Sequence, residues 1–473
     1  MYKPENQYRC TIIRGKSQQD MENLLAFYAQ MVTRYCPCNE DEFNSYCNRE
    51  LAKKLFQTAS YETLPDSNKK TIRNHLTEIA GKLLGLYWTS EEGIVYATEA
   101  CNFLIEKADF PAYFKNLCLN FQFPNGTQKI QTIKERLDAG INFRPFCYIV
   151  ALLYYAQSQP EKYLLTKQEI GYYVLNNLDV LQGKVSYKEV YTRIIEDRKN
   201  KVRRPALSGS HDWQHIKEQF NLLELSNIVC VDREFIWLNK NEAKAVQLFL
   251  AELEKPLFDI CAFDLETPSG VTSMYSHWEK YFGTLNPKIT ECSTHFDSSS
   301  IEIADASEML KKRGAVGLTT TEMGDQGEAL VYKLECERIK NYKERLVNKV
   351  LLLGKTKGLG YDISSIEGSE NPKHPEYARY IEVKTTIRVT EPTFNDIWSD
   401  SLNLTAKEWI AAEQYGAYYN IYRVYLTKTR AIIVRINNPY QKADSGEIEV
   451  YPTIYQMNFG KESIELKYNE AIS

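Results

Sequence analysis

Apolar residues recur at intervals of three and four over much of the first 120 residues, which is the spacing of one buried helix face. The segments MENLLAFYAQMVTRYC and KKTIRNHLTEIAGKLLGLYW both carry this pattern. The turn sequence PNGTQ follows them and marks the end of the helical run. We therefore predict a helical N-terminal domain over residues 1–135.

A second pattern, helices followed by two short strands, runs over residues 136–257. FCYIVALLYYAQ is apolar enough for a buried helix, and a helix in LLTKQEIGYYVLNN is capped by Thr166 with Glu169 three residues later. DWQHIKEQFNLLEL is amphipathic, and SNIVCVDREFIWLNK predicts two strands around a turn at Asp232-Arg233. Helices with a two-stranded wing predict a winged-helix-like DNA-binding region.

Basic side chains cluster in the segment EDRKNKVRRPAL of this region. They are Arg198, Lys199, Lys201, Arg203 and Arg204. Such a run suits contacts with DNA phosphates, although a solvated linker would have the same composition. Residues 258–319 mix turn residues with aromatic residues and show no clear period, so we predict an irregular connector there.

From residue 320 onward, helix and strand patterns alternate. GDQGEALVYKLECERIKNYKERL predicts a helix with Asp325 as its N-cap and Glu328 three positions later. NKVLLLGKT, YDISSIEG and RYIEVKTT predict strands, LTAKEWIAAEQYG predicts a helix that begins at Thr405, and NIYRVYLT and RAIIVRINN predict two more strands. Residues 320–473 are therefore predicted to form an α/β domain, a mixed sheet flanked by helices.

Three charged residues stand on the predicted strands of this domain. Asp362 begins one strand, and Glu382 and Lys384 alternate on the next, 20 residues after Asp362. The period of two puts Glu382 and Lys384 on one face of the sheet and turns Val383 to the other. Charge on a sheet face inside a domain is costly unless a ligand compensates for it.

The chemistry of these three side chains suits a magnesium-dependent phosphodiesterase. Two carboxylates on neighbouring strands are hard oxygen ligands for Mg²⁺ or Mn²⁺. A lysine beside them could orient or deprotonate the attacking water and stabilise charge at the phosphate. The alternative is an exposed strand face that carries ordinary ion pairs.

The whole-chain composition changes this picture little. A chain of 473 residues is long enough for several domains, and a net charge of −4 means that DNA contacts must come from local basic patches. There is no signal-peptide pattern and no apolar run of membrane-spanning length, and the 11 cysteines are scattered as reduced thiols would be. We therefore expect no membrane association and a cytoplasmic location.

The spacing of Asp362, Glu382 and Lys384 resembles the PD-(D/E)XK nuclease superfamily, although Gly360-Tyr361 stands where the family name has Pro. The run GLGYDI, YIEVKTT, LTAKEW and YNIYRVYLT is similar, over about residues 320–440, to the C-terminal domain of the NO VEIN protein. This resemblance implies a restriction-endonuclease-like fold, hydrolysis of DNA with Mg²⁺ or Mn²⁺, and a role in restriction or antiphage defence.

The same resemblance implies a fourth acidic residue, because many members of the superfamily place a Glu of the first helix beside the metal. Glu328 follows Gly327 as in the NO VEIN-type pattern, and we predict that it supports the metal side. Glu335, two turns later on the same helical face, is the alternative, and a plain capping residue is another interpretation of Glu328.

The N-terminal part resembles type IIS restriction enzymes of the AlwI type in the stretch INFRPFCYIVALLYY and YLLTKQEIGYYVLNN. The resemblance implies a recognition module placed before a cleavage module. The expected function is an endonuclease that binds double-stranded DNA, cuts as a homodimer and works with a partner protein of a defence system. The alternative is a non-catalytic DNA-binding or regulatory protein on a nuclease-like scaffold.

Overall fold

Two regions with separate hydrophobic cores make up the described part of the molecule. The computed structural model describes Cys10, Arg204 and residues 17–58, 60–160, 164–202, 210–292, 320–354, 359–394, 398–428 and 430–451. One large core joins buried residues from Cys10 to Cys292, and two smaller clusters cover the two faces of a sheet beyond residue 320. The boundary predicted at residue 135 therefore does not separate two cores.

The first region consists mainly of helices. They are α1 (Gln18–Tyr35), α2 (Glu40–Phe56), α3 (Asp66–Arg73, continued by the π-helical Asn74–Leu83), α4 (Glu99–Lys107), α5 (Phe110–Asn120), α6 (Ile130–Asp138), α7 (Pro145–Ser158), α8 (Lys167–Ile170, continued by the π-helical Gly171–Leu175), α9 (Leu178–Leu181), α10 (Tyr187–Lys199), α11 (Ser210–Leu225), α12 (Ala243–Leu253) and α13 (Pro268–Phe282). Short 3₁₀ turns lie at Lys240–Glu242, Ile260–Ala262 and Pro287–Glu291.

The predicted irregular connector contains a helix, so that part of the prediction is wrong. Helix α13 begins with Thr267 as its N-cap and Pro268 in its first turn. Its buried residues Met274, Trp278 and Phe282 are four apart, and they pack into the large core. The interspersed Ser, Thr and Gly residues hide this apolar stripe in the sequence, because only one apolar residue per turn is fully buried.

Two small antiparallel sheets accompany these helices. Strands β1 (Cys38–Asn39), β2 (Tyr87–Thr89) and β3 (Ile94–Ala97) pair in the order β1-β3-β2. Strands β4 (Leu165–Thr166), β5 (Val229–Asp232) and β6 (Phe235–Leu238) pair in the order β4-β6-β5. The β5–β6 hairpin turns at Arg233 and Glu234, one residue beyond the predicted position.

The second region is a five-stranded mixed sheet between helices, as predicted. Its strands are β7 (Leu351–Leu352), β8 (Ile363–Ile366), β9 (Ala378–Ile387), β10 (Tyr419–Leu426) and β11 (Ala431–Asn437), and its helices are α14 (Thr320–Lys343), α15 (Ala406–Tyr415) and α16 (Pro439–Asp444). The order is β11-β10-β9-β8-β7, with β9 and β10 parallel and the other pairs antiparallel. 3₁₀ turns lie at Glu344–Lys349, Gly368–Glu370 and Gly416–Tyr418.

The two faces of this sheet are covered by different helices. Leu330 and Val331 of α14 pack with Val383 on one face. Ala411 and Ala412 of α15 pack with Ile421 on the other face. Because Ile421 is the register partner of Glu382 in the parallel pair, Glu382 and Lys384 point to the α15 face.

Helix α14 begins earlier than the sequence predicts. It already includes Thr320, so Asp325 lies inside the helix and is not its N-cap. The side chain of Asp325 lies outside the described residues.

Strand β9 connects the two regions directly. Its last residue, Ile387, donates its backbone N–H to the carbonyl of Ala108, and the hydroxyl of Thr386 donates to the same carbonyl. Just beyond the strand, the backbone N–H groups of Val389 and Thr390 donate to the buried carboxylate of Glu22 on α1. The strand that carries Glu382 and Lys384 is therefore anchored in the N-terminal region.

Candidate active site

Asp362 and Glu382 face each other across the antiparallel pair β8–β9. Ile363 pairs with Ile381, so the preceding Asp362 lies opposite Glu382 on the same face. Asp362 is held by its backbone N–H, which donates to the carbonyl of Ile381 at 2.8 Å, and by its Oδ2, which accepts from the N–H of Val383 at 2.8 Å. The two carboxylates are thus placed side by side by sheet pairing alone.

Lys384 completes the trio and binds two carboxylates. Its Nζ lies 2.7 Å from Oε1 of Glu382 and 2.8 Å from Oε2 of Glu408. Glu382 is buried, whereas the Lys384 side chain keeps 21 % of its surface exposed. The structure therefore brings Asp362, Glu382 and Lys384 together as the sequence pattern predicts, and the Lys384 side chain is partly exposed.

Burial changes the protonation behaviour of all three groups. Burial is the main reason why the pKa of Glu382 is raised to about 8, and the carboxylates of Asp362 and Glu408 add to the increase. Burial also raises the pKa of Asp362 above its usual range. Burial alone would lower the pKa of Lys384, but the carboxylates of Glu382 and Glu408 outweigh it and leave that pKa raised. The site holds more negative charge than its one lysine neutralises.

Glu408 is a member of this group that the sequence analysis missed. It occupies the third position of α15, where its carboxylate accepts from the backbone N–H of Thr405 at 3.0 Å and its own N–H donates to the Thr405 hydroxyl. This is a capping box, which the pattern T-x-x-E in LTAKEW announces. The sequence pattern predicts that Glu408 caps the helix. Its contact with Lys384 arises only because α15 packs on the sheet at this place.

The turn before Asp362 is fixed by a close approach that only glycine permits. Gly360 has φ +75°, and a Cβ there would lie 2.7 Å from the carbonyl oxygen of Lys407. The Tyr419 hydroxyl donates to the carbonyl of Gly360 at 2.8 Å. Burial and the carboxylates of the site raise the pKa of Tyr419. Of the pair Gly360-Tyr361 that stands in place of Pro, Gly360 therefore has a packing reason.

Glu328 lies near the end of β7, beside the strand that begins after Asp362. A Cβ on Gly354 would lie 2.2 Å from Oε2 of Glu328, so the carboxylate occupies the space that this glycine leaves. The neighbouring Leu353 donates its N–H to the carbonyl of Asp362 at 2.6 Å. The structure thus brings Glu328 to the end of the sheet that carries Asp362.

Glu335, the alternative to Glu328, lies on the opposite face of the sheet. It is fully buried, accepts from the hydroxyl of Tyr422 at 2.9 Å and pairs with Arg338 at 2.6 Å. Tyr422 is the register partner of Val383, so Glu335 is on the α14 face, away from Glu382. Burial acts to raise the pKa of Glu335, but Arg338 outweighs it and leaves that pKa lowered. Glu335 therefore has a structural ion pair and no place in the trio.

The donor set at the trio fits a magnesium ion that keeps most of its water. The pKa values of the two adjacent carboxyl groups are raised, so a bound cation would favour their ionised form, and Mg²⁺ is typically held by one or two carboxylates with water and phosphate oxygens as further ligands. Among the described residues, no group of three or more His, Cys, Asp or Glu side chains could hold a metal ion.

The basic side chains of the predicted phosphate-binding run differ in their contacts, because some are held in ion pairs and others are exposed. Arg198 is bound to both carboxylate oxygens of Glu169, each at 2.6 Å, and Arg204 pairs with Asp197 at 2.6 Å. Lys199 and Lys201 are exposed at the end of α10, and Arg203 lies outside the described residues. Arg204 is also exposed, but its guanidinium is bound by Asp197, so Lys199 and Lys201 are the better candidates for phosphate contacts.

In comparisons with known proteins, the two regions match two different families. The family model of the N-terminal part of restriction endonuclease BpuJI matches residues 2–279, and the model of the C-terminal part of protein NO VEIN matches residues 327–436. No curated protein matches the chain significantly. In the part of the chain that the structure describes, no helix is long and apolar enough to cross a membrane.

A solved structure supports the first match. The BpuJI endonuclease binding domain, crystallised in complex with pyrene- and phenanthrene-modified DNA, is 38 % identical, with a TM-score of 0.53. The alignment covers 60 % of this chain and 100 % of that chain. The predicted restriction-enzyme character of the N-terminal part is confirmed through BpuJI, whereas the sequence resemblance suggested the AlwI type. The chain therefore belongs to the family of the N-terminal part of restriction endonuclease BpuJI, followed by a region similar to the C-terminal part of NO VEIN.

Proposed function

We propose that this protein is a magnesium-dependent DNA endonuclease of the restriction type. Residues up to 292 would recognise double-stranded DNA, and the region from residue 320 would hydrolyse its phosphodiester bonds with a PD-(D/E)XK-type site. Antiphage defence is the role that this combination fits, with or without a partner protein of the same defence system.

The observation that carries the proposal is the arrangement of Asp362, Glu382 and Lys384. Two carboxylates oppose each other across one strand pair, and an ammonium lies 2.7 Å from one of them on the same face. A purely structural ion pair needs one acid and one base, whereas this face also carries Glu408 and is left with surplus negative charge. A divalent cation would balance that charge and could at the same time bind a phosphate group of DNA.

The residues would divide the chemistry between them. Asp362 and Glu382 would hold the ion, and Glu328 would support it from the end of β7. When bound, the ion would supply Lewis acidity and an activated water. Lys384 would donate hydrogen bonds to the attacking water or to a phosphate oxygen and would stabilise the charge that develops there.

DNA recognition is supported by the relative of known structure. The BpuJI binding domain in that structure is in complex with DNA, and its similarity to this chain extends over 60 % of the sequence. The β4-β6-β5 sheet with its hairpin, preceded by helices, is the element order of a winged helix. We propose that this part reads the duplex, with Lys199 and Lys201 on the phosphates. Because a double-strand break needs two active sites, we also propose a homodimer on DNA.

A second candidate function is a DNA-binding protein that no longer cuts. The observation in its favour is that Lys384 is already bound by two carboxylates, as in a structural ion-pair network. The absence or presence of cleavage separates the two functions directly.

The test is incubation of the full chain with supercoiled plasmid and with modified and unmodified phage DNA. We expect nicking or linearisation with Mg²⁺ or Mn²⁺, and loss of cleavage with a chelator or in Asp362→Asn. Ca²⁺ should support DNA binding with poor cleavage, because its looser coordination positions the water badly. Full cleavage in a chelator would exclude the two-carboxylate mechanism, and DNA binding without any cleavage would favour the second candidate.

A further inference from the structure

We propose that Glu408 is a positioning residue that holds the ammonium of Lys384 in its working place. The inference rests on the proposed nuclease function and assigns to Glu408 a role beyond that of a helix cap. It follows from two contacts of one carboxylate, which joins the start of α15 to the functional face of the sheet.

The first step is the geometry of the ammonium group. Lys384 Nζ lies 2.7 Å from Glu382 and 2.8 Å from Glu408, and an ammonium has three N–H donors. Two donors are therefore directed to fixed acceptors, and the third is left to point at a substrate oxygen. With Glu382 alone, the flexible four-carbon stem would leave the direction of the remaining donors undefined.

The second step is the rigidity of the acceptor. The Glu408 carboxylate also accepts from the N–H of Thr405, which limits its rotation. Helix α15 is held against the sheet by Ala411 and Ala412, which pack with Ile421. The carboxylate therefore has a fixed direction, set by both the cap and the packing of the helix.

The third step is the charge balance of the face. Two carboxylates already stand at Asp362 and Glu382, so a third one nearby is unfavourable for a role that needs only a helix cap. At the start of α10, the exposed Glu189 serves that purpose together with Ser186. The carboxylate of Glu408 lies instead 2.8 Å from the ammonium of Lys384.

The experiment compares three variants of the full chain. Glu408→Ala removes the acceptor, Glu408→Gln keeps an oxygen for Lys384 and Thr405 without the charge, and Glu189→Ala removes the equivalent capping carboxylate of α10. Glu189 makes hydrogen bonds of 2.8 Å to the backbone N–H and the hydroxyl of Ser186, so its loss imitates the capping defect alone. Each variant is assayed for plasmid cleavage, for DNA affinity in Ca²⁺ and for thermal stability.

A second measurement keeps the test independent of cleavage. Acylation of lysines by an amine-reactive ester, quantified by mass spectrometry, reports how firmly Lys384 is held. We expect Lys384 to react several-fold faster in Glu408→Ala than in the unaltered protein. Its reactivity should be unchanged in Glu189→Ala.

In Glu408→Ala the ammonium group of Lys384 is still present but is no longer held in place, and the expected cleavage rates follow from this difference. Glu408→Ala should lower kcat by about 10- to 100-fold with little change in KM or DNA affinity, the scale of a misplaced catalytic group. Glu408→Gln should recover most of the lost rate, because an amide oxygen accepts the same two hydrogen bonds. Glu189→Ala should lower the thermal stability about as much as Glu408→Ala does, and it should leave the cleavage rate unchanged.

Opposite results would overturn the inference. If Glu408→Ala cleaves at the normal rate, or if Lys384 reacts no faster in that variant, Glu408 is only a cap. If Glu408→Gln is as slow as Glu408→Ala, charge rather than position matters. If the unaltered protein binds DNA and never cleaves it, the nuclease proposal fails, while the Lys384 reactivity still decides whether Glu408 positions that side chain.

Discussion

Replacement of Lys384 best distinguishes a role of this residue in catalysis from a role in stabilising the fold. Lys384→Ala removes a charge and three donors but leaves Asp362 and Glu382 able to hold an ion. Cleavage should fall by about 10² or more, the usual scale for a positioned acid–base or electrostatic group. DNA affinity in Ca²⁺ should change little. Lys384→Arg should not restore the rate, because a planar guanidinium cannot replace a compact ammonium between two acceptors.

The control for this variant is Lys442→Ala, which breaks an exposed ion pair with Glu447 in the same region. Such a pair contributes about 0–1 kcal/mol, and its loss should leave cleavage intact. Plasmid cleavage rates and melting temperatures measured on both variants decide the question. A fully active Lys384→Ala protein would contradict the proposed role of Lys384.

Glu279 on α13 predicts a pH-dependent stability in the N-terminal region. Burial raises its pKa from the ordinary value of 4.5 to about 7, and its Oε2 accepts from the N–H of Thr89 at 3.2 Å. The folded protein holds this proton more tightly than the unfolded chain does. The stabilisation is therefore complete below about pH 4.5 and is lost as the pH rises to about 7.

Glu279→Gln should remove this dependence, because the amide keeps the acceptor for Thr89 without a charge. At pH 8 we expect the free energy of unfolding to rise by about 1–2 kcal/mol, with no gain at pH 4. Urea denaturation at the two pH values measures this difference. An equal effect at both values would mean that the carboxyl is not protonated in the folded state.

At the scale of elements, Gly327 lets the start of α14 come close to β9. A Cβ on Gly327 would lie 1.9 Å from the Thr385 hydroxyl, which belongs to the strand of Glu382 and Lys384. Gly327→Ala should push the start of α14 away, lower the free energy of unfolding by about 1–3 kcal/mol and reduce cleavage, because Glu328 moves with the helix.

The same helix offers a matched control. A Cβ on Gly324 would meet nothing within 4 Å, so Gly324→Ala should stabilise the helix by about 0.5–1 kcal/mol. Thermal melting and cleavage assays on the two variants test the difference. If both glycines tolerate alanine equally, the contact between Gly327 and Thr385 does not set the position of α14.

Sequence patterns predicted the elements whose signal is local. Period-two alternation identified β9 and the shared face of Glu382 and Lys384, and capping residues identified α15 and the helix after Thr166. The roles of these residues stay predictions, but their proximity could be expected, because strand pairing alone brings Asp362 opposite Glu382.

Other features depend on packing between distant segments and leave no local signal. The contact of Glu408 with Lys384 exists only because α15 crosses the sheet at that place. Glu335 shares a helical face with Glu328, yet the sheet separates it from the trio. Helix α13 was missed because one buried apolar residue per turn among Ser, Thr and Gly gives a weak period.

At the scale of the whole molecule, a buried carboxylate joins the two regions. Glu22 is fully buried, and its carboxylate accepts from the N–H groups of Val389 and Thr390 at 2.7 and 2.8 Å. Glu22→Ala should leave these donors unsatisfied and lower the free energy of unfolding by about 2–4 kcal/mol. The variant should mainly weaken the contact between the two regions. We therefore expect faster proteolysis between residues 386 and 394.

The exposed ion pair of Glu266 with Lys134 provides the control, since the Glu266 side chain is 83 % exposed. Glu266→Ala should change stability by less than about 1 kcal/mol. Limited proteolysis and thermal melting of both variants make the comparison. Equal behaviour of the two variants would mean that Glu22 does not hold the regions together.

In the proposed function, the exposed lysines at and just beyond the end of α10 contact DNA phosphates. Lys199 and Lys201 are exposed, so Lys199→Gln with Lys201→Gln should weaken DNA binding and reduce the log–log salt slope by roughly one unit for each lost phosphate contact. Arg198 is bound by Glu169, the capping residue of α8, so Arg198→Gln should lower stability more than it lowers the salt slope. Fluorescence anisotropy between about 50 and 200 mM salt measures the slopes. An unchanged slope in the double lysine variant would make this segment a solvated linker, and a large drop in Arg198→Gln would mean that its ion pair opens on DNA.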